Sequence, residues 1–349
     1  MSNALPSVDF PPAALRRFAL VFFGLAFLGV ASVYAINRIV DPFGANEWRV
    51  VPALIQSSRN KKLSLLDQAQ KDTRVLIHGS SRQLRVLPSD VETHLGKRAF
   101  NAAVTGGGPQ DALALTRYAI EVAKLPVDEV LFGIDLERLS PMNAQQDELL
   151  QNPRLLALLP DEVIATRTYP AAFQELTTLR LTRSIKAIYL TMKDAWPPEA
   201  YSFDADGARN NLKAERALAA GKYDFQAEFN HTVKRYREIY ADYSHFDPKD
   251  LRALELFFDY CDEHKIRLWL YLASSHPELV KIIESETEQA KRRREFIEYI
   301  TPIAKARGYV FKDFTDISSF DGEAADYYDG SHPTDANTKR MLKALFGGG

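Results

Sequence analysis

Residues 73–82 read TRVLIHGSSR. A short apolar run closed by Gly-Ser-Ser predicts a buried strand that ends in a tight turn. The same pattern recurs on either side. Residues 99–104 (AFNAAV) run into Gly106-Gly107-Gly108-Pro109, and residues 129–136 (EVLFGIDL), 267–273 (RLWLYLA) and 309–315 (YVFKDFT) complete a set of five apolar runs. Helical patterns separate them: 110–124 with Leu113, Tyr118, Ile120 and Val122, an amphipathic stretch at 249–265, one charged helix at 277–307 and a closing helix at 335–346. Short apolar runs alternating with helices predict an α/β fold, a five-stranded parallel sheet flanked by helices on both faces. Residues 141–248 show no clear strand. Leu181, Ile185, Ile188 and Met192 recur there at helical spacing, so the stretch reads as a helical insertion and a candidate lid.

Composition narrows the class. With 46% hydrophobic residues in 349 and a formal charge of −2, a disordered chain is excluded. The near balance of 44 Lys and Arg against 46 Asp and Glu gives no electrostatic case for nucleic acid, so no nucleic-acid partner is expected. The single cysteine, Cys261, shares a helical face with Leu254, Phe257 and Phe258 and reads as a small buried apolar residue. The seven histidines show no zinc spacing, and no metal or cofactor is expected. Asp204-Ala-Asp206-Gly207 places its glycine too early for an EF-hand. Glu288 and Arg292, four apart, predict a solvated ion pair on a helix face.

Residues 18–36 contain no charged side chain. As a helix they would be about 28 Å long, enough to cross the hydrocarbon of a bilayer. Arg16 and Arg17 precede the run and only Arg38 follows closely, which predicts a cytoplasmic tail at 1–15 and export of everything after it. A single-pass anchor over domain 1–40, with an extracytoplasmic domain at 41–349, is the reading. A signal peptide cleaved after Val33-Tyr34-Ala35 is the rival.

In open parallel sheets, ligands bind beyond the carboxyl ends of the strands. That rule gathers Ser80-Ser81, Gly106 to Gly108, Asp135 and the Asp329-Gly-Ser-His332 turn on one edge. Serine, histidine and aspartate together are the parts of an activated hydroxyl nucleophile. Asp329, three residues before His332, is spaced to hold the imidazole while its other nitrogen faces serine. His78 reads as structural, Ser80 as a lesser candidate nucleophile, and His276 as a residue near the same edge.

These residues resemble the SGNH, or GDSL-like, hydrolases over roughly 73–140 and 265–346. Gly79-Ser80-Ser81 resembles the nucleophile block, which puts the nucleophile at Ser81. Asn101-Ala-Ala-Val-Thr-Gly106 resembles the family's Asn-x-Gly-x-x-Gly block, which implies oxyanion or substrate contacts from Asn101 and the Gly106 N–H. Asp329 and His332 match Asp-x-x-His. Asp135 stands where the family carries an oxyanion-binding asparagine, and an ionised carboxylate there would repel the oxyanion unless it is protonated, turned away or bound to a substrate hydroxyl. The resemblance implies a flavodoxin-like sheet. The anchor, the Gly-Ser-Ser-Arg block and the late Asp-Gly-Ser-His-Pro resemble a membrane-anchored branch serving exopolysaccharide O-acetylation or teichoic-acid D-alanylation. That implies acyl transfer or ester hydrolysis on a polysaccharide or acylated carbohydrate in the periplasm or outside the cell, with a membrane partner exporting the acyl group. A non-catalytic polysaccharide-binding or scaffolding protein is the alternative.

Overall fold

The computed structural model describes residues 11–44, 50–54, 57–141, 147–150, 152–164, 175–196 and 201–347. The first ten residues of the expected cytoplasmic tail lie outside them, as do 142–146, 151, 165–174 and 197–200 of the expected insertion. The chain forms two compact units, Met1–Gln56 with Arg167–Pro197, and Ser57–Thr166 with Pro198–Gly349.

In the first unit, helix α1 (Pro12–Val40) is long and apolar enough to cross a membrane, and none of its apolar window is covered by the rest of the chain. Phe18, Leu20, Phe23 and Phe27 all stand exposed. The helix stops where Asp41 turns left-handed, at φ 44°. Within this unit the helix Thr178–Met192 packs antiparallel to the end of α1. Arg180 lies 3.3 Å from Asp41, and Ser184 donates to the Asn37 side chain at 2.8 Å. The stripe that packs is therefore Arg180, Ser184 and Ala187. Of the four apolar residues that set the helical spacing, Leu181 and Ile188 are half-buried while Ile185 and Met192 are exposed. The polar end of α1 selects polar partners, because a buried amide or carboxylate left unpaired costs more than an exposed methyl. The expected 141–248 insertion is thus not one body, and its 178–192 helix belongs with α1.

The second unit is built on β1 (Val75–His78), β2 (Ala99–Asn101), β3 (Glu129–Ile134), β6 (Arg267–Leu272) and β7 (Val310–Asp313). All pair in parallel, in the order β2-β1-β3-β6-β7. β1 ends at His78, where its apolar run ends, while the other four strands are one to three residues shorter at their carboxyl ends than their runs, because the chain bends off into the loops there. Side chains alternate between two cores. Leu76, Phe132 and Leu270 face helices Pro109–Arg117 and Pro248–Glu263, while Ile77, Leu131 and Trp269 face Pro88–Leu95 and Asp335–Phe346. Cys261 is buried in the first core.

Three local expectations change. The single helix expected at 277–307 is two, Pro277–Glu286 and Gln289–Arg307. Thr287 is extended between them, its hydroxyl donating to Ile283 O and accepting from Gln289 N–H, a local alternative to the helical ladder. Arg292 is buried and pairs with Glu295 at 2.7 Å rather than with Glu288. The stretch expected to lack strands holds a hairpin, β4 (Ser202–Phe203) and β5 (Arg209–Asn210), with Asp204 and Asp206 in its turn. Buried Lys62 pins this hairpin to β2 by donating to the carbonyls of Gly207 and Asn101, and Arg209 N–H donates to Leu84 O at 2.8 Å.

The strand order reverses between β1 and β3. Their following loops leave in opposite directions, which opens a crevice at the carboxyl edge of the sheet.

Candidate active site

Ser81 sits one turn beyond β1. Gly79 reaches φ +146°, a region closed to other residues, and a Cβ there would fall 2.4 Å from the Gln83 side chain. Gln83 is the wedge that shapes the turn. Its Oε1 accepts Ser80 N–H at 2.8 Å, and its amide packs so closely on Gly133 that a Cβ there would also fall 2.4 Å away. Ser80 is thereby turned inward and buried, its Oγ accepting Arg82 N–H, while Ser81 is left partly exposed. The serine that faces the crevice is Ser81, not Ser80.

His332 arrives from the loop before the last helix. Ser81 Oγ lies 2.9 Å from His332 Nε2, across 251 residues of sequence. Asp329 Oδ2 lies 2.8 Å from His332 Nδ1. An ionised carboxylate only accepts, so Nδ1 carries the proton and Nε2 is left to accept from the Ser81 hydroxyl. The other Asp329 oxygen accepts the backbone N–H of Ser331 at 2.6 Å and of His332 at 2.9 Å. Burial alone would raise the Asp329 carboxyl, but its contact with the His332 imidazole and these hydrogen bonds outweigh it and hold the group at about 2. The turn itself is tied by Tyr328 N–H to His332 O at 2.8 Å and by His276 N–H to Gly330 O at 2.9 Å. Local spacing sets the Asp–His half, and the sheet edge brings it to the serine.

The pair opens into a cavity of about 390 Å³, within the usual range for small-ligand sites. Ser81, His332 and Asp329 line it, together with Arg85, Arg209 and Tyr328.

The remaining expected site residues are not gathered there. Asp135 is buried beneath the turn, 3.5 Å from the Arg82 guanidinium, and does not line the cavity. Arg82 also holds Glu137 at 2.6 Å and donates to Tyr236 OH. Burial and the Glu137 charge push the Asp135 carboxyl up against the pull of Arg82. Two acids around one arginine explain the aspartate as an internal counter-charge. Asn101 is a clamp, donating to Gln83 O and Val86 O at 2.8 Å and accepting from Ala103 N–H. Gly106, left-handed at φ +62°, belongs to a loop that packs on the Ser81 turn through Val104 N–H to Gly79 O at 3.1 Å, but it does not line the cavity either. His276 caps Pro277–Glu286 and packs on Phe225, Phe229 and Tyr327. His78 is buried against Thr116 at 2.8 Å, its imidazole pushed down to about 3 by burial and by the Lys62 charge. Among the described residues no three His, Cys, Asp or Glu side chains are placed to hold a metal ion.

Gln83 and the basic wall of Arg85 and Arg209 escape the sequence reading. A buried glutamine two residues past a Gly-Ser-Ser turn gives no periodic signal, and Arg209 comes from a hairpin too short to register as strands. The sequence matches no family model and no curated protein.

Proposed function

We propose that this chain is a membrane-anchored serine acyltransferase or esterase of the SGNH type, with a flavodoxin-like sheet. It acts outside the cytoplasm on O-acyl groups of a cell-surface polysaccharide or exopolysaccharide. The Ser81–His332–Asp329 relay, open to a cavity of about 390 Å³, is the observation that carries this reading. His332 Nε2 takes the Ser81 proton as Oγ attacks the acyl carbonyl. The Ser81 backbone N–H stabilises the oxyanion. The alkoxide of the leaving alcohol collects the proton from His332, and the acyl group stays on Ser81. A second hydroxyl, of a sugar or of water, then gives its proton to His332 and takes the acyl group, and His332 returns that proton to Ser81 Oγ as the acyl–Oγ bond breaks. Asp329 holds the imidazole in the productive tautomer and offsets its charge while it is protonated. An inward Asp135 removes the like-charge objection to an oxyanion at this site. Helix α1 supplies the anchor, and as a transferase the protein works with a membrane partner that delivers the acyl group.

The test is fluorophosphonate labelling of the full chain in detergent. Wild type labels, Ser81→Ala does not, and Ser80→Ala still does. Absence of wild-type labelling, with both Ser81→Ala and His332→Ala behaving as wild type in cells, transfers the chain to the scaffolding class.

A further inference from the structure

Beyond the relay, the wall of the Ser81 cavity is basic. Arg85 lines it from the turn after β1, and Arg209, Lys213 and Lys222 from the stretch 209–222. Arg85 stacks 4.6 Å over the Tyr328 ring and Arg209 stacks 4.5 Å over the Tyr201 ring. A guanidinium held by its flat face keeps its edge N–H groups available, and that edge matches the two oxygens of a carboxylate or phosphate. Those edges are under-used. Among the described residues Arg209 Nε and Arg85 Nε are buried without a hydrogen-bond partner. The carboxylate contacts that Arg85 makes among the described residues are long, 3.3 Å to Asp335 and 3.5 Å to Glu215, both on partly exposed carboxylates. Among the described residues no carboxylate is within salt-bridge reach of Arg209, Lys213 or Lys222. The other acids of this wall do not neutralise it, since Asp224 caps a helix by accepting Ala227 N–H at 3.0 Å and Glu228 is exposed to solvent. Burial and the nearby Arg85 charge both push the Arg209 guanidinium down. Two half-buried like charges line one space, each braced by an aromatic ring, and an anion between them would offset their repulsion.

We propose that Arg85 and Arg209 form an anion subsite beside Ser81, which takes the carboxylate or phosphodiester of a negatively charged glycan. The exposed Lys213 and Lys222 steer that polymer toward the cavity. The subsite rests on the acyl-transfer reading for its purpose, because it would set a hydroxyl or ester of the anionic unit against Ser81. Its existence is read by binding alone.

The experiment uses the full chain in detergent carrying Ser81→Ala, with calorimetric titration of three probes: trigalacturonate, a phosphodiester-linked glycerol oligomer and neutral maltotriose. At least one anionic probe binds about tenfold or more tighter than maltotriose, and Arg209→Gln removes about tenfold of that. Trigalacturonate alone assigns the anion as a carboxylate, and the glycerol oligomer alone assigns it as a phosphodiester. Lys213→Gln with Lys222→Gln, both at exposed positions that do not threaten folding, flattens the salt dependence of binding. Equal affinity for maltotriose, no binding of either anionic probe, or an Arg209→Gln affinity within about twofold of the parent overturns the subsite. If Arg209→Gln does not fold, the lysine pair decides, and an unchanged salt dependence overturns the proposal. Loss of fluorophosphonate labelling in the Ser81 parent reports on the relay separately, so failure of one reading is not mistaken for failure of the other.

Discussion

Asp329→Asn separates the electrostatic part of the relay from its shape. The ordinary carboxyl value is 3.8 and the native group sits at about 2, mostly buried. That gap corresponds to about 2 kcal/mol of stability carried by the ionised form. Because the native pKa is depressed, this stability is fully present above pH 3.8 and is lost as the pH falls through 2. Wild type should therefore lose about 2 kcal/mol more than Asp329→Asn between pH 5 and pH 2. The difference between the two proteins isolates Asp329 from the other carboxylates that titrate in that window. Activity should fall further than stability. An asparagine amide facing Nδ1 favours the tautomer that puts a proton on Nε2, where the Ser81 hydroxyl must be accepted, and a loss of about 10²- to 10⁴-fold in fluorophosphonate labelling rate follows. Urea unfolding across the pH series and the labelling rate at pH 7.5 are the measurements. Parallel pH profiles for the two proteins, or a labelling rate within about threefold of wild type, would refute the relay as drawn.

Gly79→Ala places a Cβ 2.4 Å from Gln83 at a φ that alanine avoids, so it should cost about 2–4 kcal/mol in urea unfolding and abolish labelling. A cost below about 0.5 kcal/mol would show that the turn is not so constrained. Arg82→Met leaves Asp135 and Glu137 buried without their shared cation and should cost about 3–5 kcal/mol, checked by the same unfolding curves. Burial pushes the Asp250 carboxyl up to about 7, despite its bond from Gln110. A raised acid weakens the fold as the pH rises from 4 through 7, so Asp250→Asn should stabilise by about 2–4 kcal/mol at pH 8.5 and by little at pH 4.5. An equal effect at both pH values would contradict that titration.

The sheet is legible because four of its five strands are buried almost throughout, so each reads as an apolar run such as 129–134, while edge strand β7 is half-buried and carries Lys312 and Asp313. The triad is legible for two separate reasons. Asp329 and His332 are neighbours in one turn, and Ser81 meets them only because parallel strands deliver their exits to one edge. What stayed hidden depends on partners remote in sequence. Asp135 looks like a site residue until Arg82 is seen beneath it, and Asn101 looks like an oxyanion contact until its amide is found clamping Gln83 and Val86. The helix at 178–192 shows its apolar spacing plainly, but the residues it buries fully are Arg180, Ser184 and Ala187, because Asn37 and Asp41 at the end of α1 demand polar company. The break at Thr287 rests on one hydroxyl making two local bonds, which no periodicity reveals.

The wedge of Gln83 between Gly79 and Gly133 has a consequence for how this protein can change over time. Three positions spread over 55 residues share one small volume, so they are free to vary only in concert. A side chain gained at 133 must be met by a shorter one at 83, and a shorter one at 83 loosens the bend that presents the nucleophile. Related chains that keep the serine should therefore show these three sites co-varying, whereas chains that have abandoned the chemistry should show them drifting independently.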